Sequence, residues 1–276
     1  MKTPQIEKGR RFRALHEDPG AFLIANAWDG GSARILTGLG FKALATSSGA
    51  SAATLGRVDG QVTRDEALAQ VRVLTGATDL PVSADLEKGF GDTPATVAET
   101  IRLAGAAGLV GASIEDATGE AGHPLYDFGL ATERIAAAAE AARGLGCSFT
   151  LTARSENFLR GNPDLDDTIR RLQAFERAGA DVLFAPGLPD LSAVRTVCST
   201  LTKPVNFMVG MPGKSFTVAE LTAAGVKRIS LATSLYRAAM SGLIAAAREA
   251  IERGTFGFVE SAIRTQELNA FLRGNR

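Results

Sequence analysis

Carboxylates follow two predicted strands at positions where a sheet would bring them together. Asp85 and Glu87 lie at and just after the end of one short apolar run, and Glu115 ends another. The i, i+2 spacing in a strand places Asp85 and Glu87 on one face, and a neighbouring strand offers Glu115 at the same level. Because three crowded carboxylates repel one another, a hard divalent cation suits them. The pattern predicts a site for Mg²⁺, or for Mn²⁺ in its place.

An ion-pair network is the alternative use of these carboxylates. Glu87 and Glu115 could pair with Lys88 and Arg154 at the same end of the sheet, and spacing alone leaves both interpretations open. Arg154 could also clamp a substrate carboxylate through two parallel hydrogen bonds. Asn206, inside an otherwise apolar run, is a further candidate for substrate binding.

Backbone N–H groups offer a second kind of binding element. Ser48, Gly49 and Ala50 follow a predicted strand, and consecutive N–H groups there suit a carboxylate or enolate oxygen. The glycine-rich turn at 89–91 would let the backbone approach a ligand closely.

Eight short apolar runs alternate with Ala-rich segments of helical period, which is typical of repeated βα units. Eight such units predict a closed (β/α)₈ TIM barrel, because a doubly wound sheet would show fewer strands and a phosphate-loop motif. In a barrel, catalytic groups lie at the carboxyl ends of the strands, where these polar residues stand. The predicted strands are 22–26, 43–46, 81–85, 111–115, 149–153, 181–185, 205–209 and 228–232, and the predicted helices are 31–39, 64–75, 94–107, 131–145, 165–178, 191–200, 217–224 and 234–253.

The chain reads as one catalytic barrel domain, residues 1–255, with a C-terminal helical extension, residues 256–276. Apolar residues such as Phe256 and Phe271 in that extension require a surface to pack on, either in the same chain or in a partner subunit. His16, near the N-terminus, is expected at the surface.

Composition excludes several classes of protein. Thirty Lys and Arg residues balance thirty Asp and Glu residues, so no cationic field favours nucleic acid or an anionic membrane. No apolar stretch is long enough for a membrane helix, and residues 1–20 lack the apolar centre of a signal peptide. A cytoplasmic location is therefore expected. Two distant cysteines indicate neither a zinc motif nor a disulfide framework.

Taken in order, five motifs resemble those of the isocitrate lyase/phosphoenolpyruvate mutase superfamily. The motifs are Thr46-Ser47-Ser48-Gly49-Ala50, Gly56-Arg57-Val58-Asp59-Gly60, Asp85-Leu86-Glu87-Lys88-Gly89-Phe90-Gly91, Ile114-Glu115-Asp116 and Thr152-Ala153-Arg154. The resemblance implies that Asp85 binds Mg²⁺ directly and that Glu87 and Glu115 act partly through water. It also implies that Asp59 lies on a mobile loop near the reacting group, that Arg154 binds substrate, and that a 2-oxo acid carboxylate is received by Ser48, Gly49 and Ala50.

Members of that superfamily use Mg²⁺ to stabilise the enolate that forms when a C–C or P–C bond breaks. Lyases of the isocitrate type carry Lys-Arg-Cys-Gly-His in a loop whose cysteine transfers protons. Here the similar stretch is Gly119-Glu120-Ala121-Gly122-His123, so the cysteine is replaced by Ala121. Glu120 and His123 remain the catalytic candidates in this loop. The Lys and Asn-Ser loop of the phosphomutases is absent from residues 117–127.

These features favour a Mg²⁺-dependent lyase or decarboxylase that acts on a small 2-oxo or 2-hydroxy dicarboxylate through an enolate. Hydrolysis or rearrangement of a P–C bond in a phosphonopyruvate-like compound is the nearest rival, because the same metal and enolate would serve. A barrel that binds a 2-oxo acid without turnover is the third hypothesis. The expected partners are a small-molecule substrate and, from the resemblance, further copies of the chain in a homodimer or homotetramer that exchanges C-terminal helices.

Overall fold

A closed barrel of eight parallel strands, paired in chain order with β8 returning to β1, forms the centre of the molecule. The computed structural model describes residues 3–274. Each predicted strand overlaps an observed one, so the predicted TIM barrel is confirmed. The strands are β1 (Phe22–Asn26), β2 (Leu44–Ala45), β3 (Val82–Asp85), β4 (Gly111–Glu115), β5 (Thr150–Arg154), β6 (Val182–Phe184), β7 (Val205–Met208) and β8 (Arg228–Ser230).

Helices surround the barrel, and the eight predicted ones all overlap observed helices. Of the other three, α1 and α3 were not predicted, and α11 lies within the C-terminal segment 256–276. A π-helical turn, Glu249–Arg253, continues α10, and short 3₁₀ turns span Asn157–Leu159 and Gly257–Glu260. The helices are α1 (Gln5–Glu17), α2 (Gly30–Gly38), α3 (Ser48–Thr54), α4 (Arg64–Ala77), α5 (Pro94–Ala106), α6 (Phe128–Arg143), α7 (Leu165–Arg177), α8 (Leu191–Thr200), α9 (Val218–Ala223), α10 (Ser234–Arg248) and α11 (Thr265–Arg273).

Strand register connects three polar residues and one phenylalanine on four neighbouring strands. Arg154 on β5 is in register with Phe184 on β6, which is in register with Asn206 on β7, and Asn206 is in register with Arg228 on β8. Neighbours in register point to the same side of a sheet.

Within residues 3–274, no helix is both long and apolar enough to cross a membrane.

Helix α1 closes the N-terminal end of the barrel. Phe12 is fully buried and packs with Ile24, Ala43 and Val110. One turn later, His16 lies edge-on to the rings of Phe12 and Phe22, with centroids 4.9 Å away in each case. The prediction that His16 is at the surface is therefore wrong, because the chain before β1 folds back as a helix beneath the strands.

The C-terminal segment packs on its own chain in part. Helix α11 lies against α2, where Arg34 donates to the carbonyl of Leu272. In contrast, α10 has no buried residue, and Ile251 and Phe256 beyond it are 89% and 64% exposed. Exchange of helices between subunits stays a prediction, and residues 275–276 of the predicted extension lie outside the described residues.

His16 makes the stability of the fold depend on pH. Burial, with repulsion from Arg228, lowers the pKa of His16 from 6.5 to about 3. The unfolded chain therefore takes up this proton first, and stability falls as pH drops below 6.5 toward 3. At pH 5 the loss due to His16 is about 2 kcal/mol.

Urea unfolding of the wild type and of His16→Leu at pH 7.5 and pH 5 measures this contribution. We expect the wild type to lose about 2 kcal/mol more than His16→Leu between the two pH values. His123→Gln, which removes a histidine whose side chain is 60% exposed, should keep the wild-type pH dependence. Equal losses in the wild type and His16→Leu would contradict the assignment.

Candidate active site

A cavity of about 200 Å³ opens at the carboxyl end of the barrel. Five predicted site residues line it: Ser48, Asp59, Asp85, Arg154 and Asn206. A larger cavity, of about 530 Å³, lies at the opposite end beside α1 and contains none of the predicted site residues. Because barrel enzymes place catalytic groups at the carboxyl ends of the strands, the smaller cavity is the candidate active site.

Asp85 is the most heavily bonded carboxylate of the cavity. Its Oδ2 accepts hydrogen bonds from the Ser48 hydroxyl at 3.1 Å and the Ser48 N–H at 3.4 Å. Its Oδ1 accepts from Arg154 Nη1 at 3.0 Å and from the Glu87 N–H at 3.3 Å. Burial alone would raise the pKa of Asp85, but Arg154 and these donors hold it below its usual value. Asp85 is therefore a fixed anion.

Arg154 joins three carboxylates. Its Nη1 lies 3.0 Å from Asp85, and its Nη2 lies 3.2 Å from Glu115 and 2.8 Å from Glu156. The guanidinium carbon also lies 5.2 Å from the centre of the Phe184 ring. Burial opposes the charge of Arg154, yet the surrounding carboxylates raise its pKa well above the usual value. The predicted ion-pair network exists at Glu115, whereas Lys88 pairs with Asp92 instead.

Glu87 does not project from a strand. Strand β3 ends at Asp85, and Glu87 has a left-handed φ of 50°. The prediction that Asp85 and Glu87 share one strand face is wrong, because the backbone turns after Asp85 and the Glu87 N–H bonds back to its carboxylate. A left-handed conformation in a residue other than glycine carries strain that surrounding contacts must offset.

Two glutamates of the site resist ionisation. Burial, together with Asp85 and Asp59, raises the pKa of Glu87 to about 7. Burial also raises the pKa of Glu115, and Glu156 and Asp85 add to that effect while Arg154 opposes it. A second guanidinium, that of Arg160, lies 3.3 Å from Glu115. The carboxylates therefore outnumber the cations that contact them.

The donor chemistry of this region fits a divalent cation. Asp85, Glu87 and Glu115 supply hard oxygen ligands. Burial and neighbouring carboxylates raise the pKa values of the two glutamates, so a further cation would favour their ionised forms. In the described residues, no three His, Cys, Asp or Glu side chains already lie close enough to hold an ion. Arg154 lies among these carboxylates, so an ion would share them with its guanidinium.

The predicted N–H groups belong to the first turn of α3. Ser47 caps this helix by accepting from the Ala50 N–H at 3.5 Å, and the Ser48 N–H is directed to Asp85. Two of the three N–H groups expected to receive a carboxylate are thus engaged within the chain. Asp59 faces the same turn, since a Cβ added to Gly49 would lie 3.4 Å from Asp59 Oδ2.

The loop after β4 folds back on itself. Residues Ala117 and Leu125 form an antiparallel bridge, and the Thr118 N–H donates to the carbonyl of Pro124. Glu120 and His123 lie at the exposed tip of this loop, and neither lines the cavity. The structure does not bring these two catalytic candidates together with Asp85 and Arg154.

Two charged residues of this region were not among the predicted site residues. Glu156 is fully buried and accepts from Arg154 through one oxygen, at 3.0 Å and 2.8 Å. Its position two residues after Arg154 was the available signal, although β5 ends at Arg154 and Glu156 lies in the turn before the 3₁₀ helix. Arg228 is buried in the cavity wall, and a charge at the first position of an apolar strand could have revealed it.

Arg134 fixes the loop that carries Glu87. It lies on α6, is 1% exposed, and donates to the carbonyl of Gly91 at 2.7 Å and to the carbonyls of Lys88 and Asp92. Its guanidinium also lies 4.1 Å from the centre of the Tyr126 ring. These contacts hold the turn in its left-handed conformation.

Known proteins match the chain over most of its length. The phosphoenolpyruvate phosphomutase family matches residues 12–251. Oxaloacetate decarboxylase of Paraburkholderia xenovorans (strain LB400) is 31% identical, over 85% of this chain and 79% of that protein. For 2-methylisocitrate lyase of Escherichia coli (strain K12), the identity is 30%, over 83% of this chain and 80% of that protein. A solved structure from Burkholderia cenocepacia J2315 is 50% identical, with a TM-score of 0.95, and the match covers 97% of this chain and 96% of that one.

Replacing Arg134 by Met should destabilise the protein, because three carbonyls lose a buried donor. We expect Arg134→Met to lower the free energy of unfolding by about 2–4 kcal/mol. Arg102→Met, which removes an exposed arginine paired with Glu99 on α5, should change it by less than about 0.5 kcal/mol. Urea unfolding measures both. The positioning role is excluded if the two variants unfold alike.

Proposed function

The chain belongs to the isocitrate lyase/phosphoenolpyruvate mutase superfamily, and on that premise we propose that it is a Mg²⁺-dependent lyase or decarboxylase for small 2-oxo or 2-hydroxy dicarboxylates. Its relatives are lyases and mutases, and the chain is an enzyme. The hypothesis of a barrel without turnover is therefore not retained. The main support for the proposal is the excess of carboxylates at the cavity, because Asp85, Glu87, Glu115 and Glu156 lie there with two contacting arginines, Arg154 and Arg160.

Asp85, Glu87 and Glu115 would hold Mg²⁺, which supplies positive charge to an enolate oxygen. Ser48 fixes the orientation of Asp85 through two hydrogen bonds. Arg154 keeps Asp85 ionised and holds Glu115 beside it, so that the site is organised before substrate arrives. Asp59 lies at the rim of the cavity, where it can exchange a proton with substrate.

Ala121 favours a reaction that needs no thiol. When a 2-oxo diacid loses CO₂, the C–C bonding electrons pass into an enolate, and solvent can return the proton. Ala121, Glu120 and His123 do not line the cavity, which agrees with this simpler chemistry. The similarity to the oxaloacetate decarboxylase of Paraburkholderia xenovorans supports this reaction.

Cleavage of a P–C bond is the second candidate reaction. The matching family is described as phosphoenolpyruvate phosphomutase, and the same enolate would form on cleavage of a phosphonate. The loop at 117–127 lacks the Lys and Asn-Ser residues of the phosphomutases, so C–C cleavage is the preferred proposal. Release of inorganic phosphate would identify the rival reaction.

A substrate panel tests the proposal. Oxaloacetate, isocitrate, 2-methylisocitrate, 2,3-dimethylmalate and phosphonopyruvate are incubated with Mg²⁺ or EDTA while 2-oxo acid, CO₂ and phosphate are followed. We expect turnover of at least one C4–C7 acid, its loss in EDTA, and a fall of about 100-fold or more in Asp85→Ala. Asp18→Ala, which alters an exposed carboxylate at the opposite end, should remain active. Metal-independent turnover would contradict the proposal.

We expect Asp59, and not His123, to transfer a proton in the reaction. Asp59→Asn should lower kcat by about 100-fold or more if Asp59 exchanges the proton, because general acid–base groups contribute that much. His123→Ala should stay within about threefold of the wild type, since its exposed ring lies outside the cavity. Steady-state kinetics on the best substrate of the panel measures both. A large loss only in His123→Ala would reverse the assignment.

A further inference from the structure

A second arginine lies in the same cavity as Arg154. Arg228 is the first residue of β8, is 5% exposed, and lines the cavity. Phe184 and Asn206 lie between the two arginines in strand register. Among the described residues that line the cavity, Arg154 and Arg228 are the two with cationic side chains.

Arg228 has neutral hydrogen-bond partners. Its Nε donates to Asn206 Oδ1 at 2.8 Å, and its Nη2 donates to the Thr152 hydroxyl at 2.9 Å. Within residues 3–274, its Nη1 has no hydrogen-bond partner, and no carboxylate lies within the 4.0 Å of an ion pair. Burial lowers the pKa of Arg228 to about 9, so it is still charged at neutral pH. A buried cation without a counter-ion is costly.

Arg154 differs from Arg228 in this respect. Asp85, Glu115 and Glu156 all lie within 3.2 Å of the Arg154 guanidinium, so its charge is already balanced inside the protein. The positive charge that remains for a ligand therefore belongs to Arg228. Asn206 is neutral, and its amide is already bonded on both sides. Its oxygen accepts from Arg228, and its Nδ2 donates to the Ser230 hydroxyl at 3.2 Å.

We propose that Arg228 binds the distal carboxylate of a small dianionic substrate and thereby selects diacids over monoacids. The inference rests on the proposed function, because it assumes that the reacting end of the acid lies near Asp85. Asn206 is the positioning residue that orients the guanidinium. The volume of about 200 Å³ equals that of roughly six or seven water molecules, which suits a short diacid.

Two stable ligands isolate the effect of the distal carboxylate. Malate and 2-hydroxybutyrate differ in that a methyl group replaces one carboxylate, and matched enantiomers keep the rest identical. We expect calorimetry with Mg²⁺ to show that the wild type binds malate at least about tenfold more tightly, because a charge-assisted hydrogen bond is lost with the monoacid. Equal affinities in the wild type would overturn the proposal before any variant is made.

Variants then assign the preference to Arg228. In Arg228→Gln the affinity for malate should fall to that for 2-hydroxybutyrate, whose own affinity should change less than about threefold. Arg228→Lys keeps the charge and should keep part of the preference, which covers the case in which Arg228→Gln fails to fold. Arg102→Gln, an exposed arginine on α5, should match the wild type. Equal weakening of both ligands in a folded Arg228→Gln would indicate a structural role only and overturn the proposal.

Inorganic phosphate separates a free anion from a substrate carboxylate. If phosphate binding depends on Arg228 while malate and 2-hydroxybutyrate bind alike, a free anion is the ligand and the substrate assignment is wrong. Failure of the proposed function has a different signature. A preference for malate that depends on Arg228, with no turnover in the substrate panel, keeps the carboxylate site and removes the lyase. Turnover in the substrate panel without an Arg228-dependent preference for malate would keep the lyase and remove the carboxylate site.

Discussion

The contact of one guanidinium with three carboxylates organises the carboxyl end of the barrel. Arg154 lies within 3.2 Å of Asp85, Glu115 and Glu156, which belong to three consecutive strands or the turns after them. Each carboxylate would be costly to bury alone, and Arg154 would be costly without them. Their combined charge is negative, so the same cluster that stabilises the barrel mouth can also accept a divalent cation.

Charge is distributed unevenly along the cavity, and this distribution defines how a small acid would lie. The carboxylates collect around Asp85, whereas Arg228 lies in the wall formed by β7 and β8 with neutral partners. A cation and an enolate oxygen suit the first region, and an anionic group suits the second. The strands set this arrangement through their register, and the loops supply Asp59 and Glu87. Arg134 in turn fixes the turn that carries Glu87.

The sequence predicted the barrel because the pattern of apolar strands and Ala-rich helices has a clear period. It failed where tertiary contacts decide the outcome. Helix α1 has a charged, weakly patterned sequence, and its Gly9 packs so closely that an added Cβ would meet the carbonyl of Ser148. Glu87 was assigned strand geometry, but a backbone turn after Asp85 intervenes. The lack of a carboxylate partner for Arg228 could not be predicted, because spacing in the sequence does not show which side chains surround a residue in the folded chain.

Crystallography with Mn²⁺ in place of Mg²⁺ tests the central claim most directly, because anomalous scattering locates the ion independently of any reaction. We predict one anomalous peak at the carboxyl end of the barrel, bonded to the Asp85 carboxylate, with Glu87 and Glu115 facing it directly or through water. Arg154 should retain its contact with Glu156. A map without a peak at this end under saturating Mn²⁺, or with ordered ions bound elsewhere only, would contradict the account of the carboxylate cluster as a metal site.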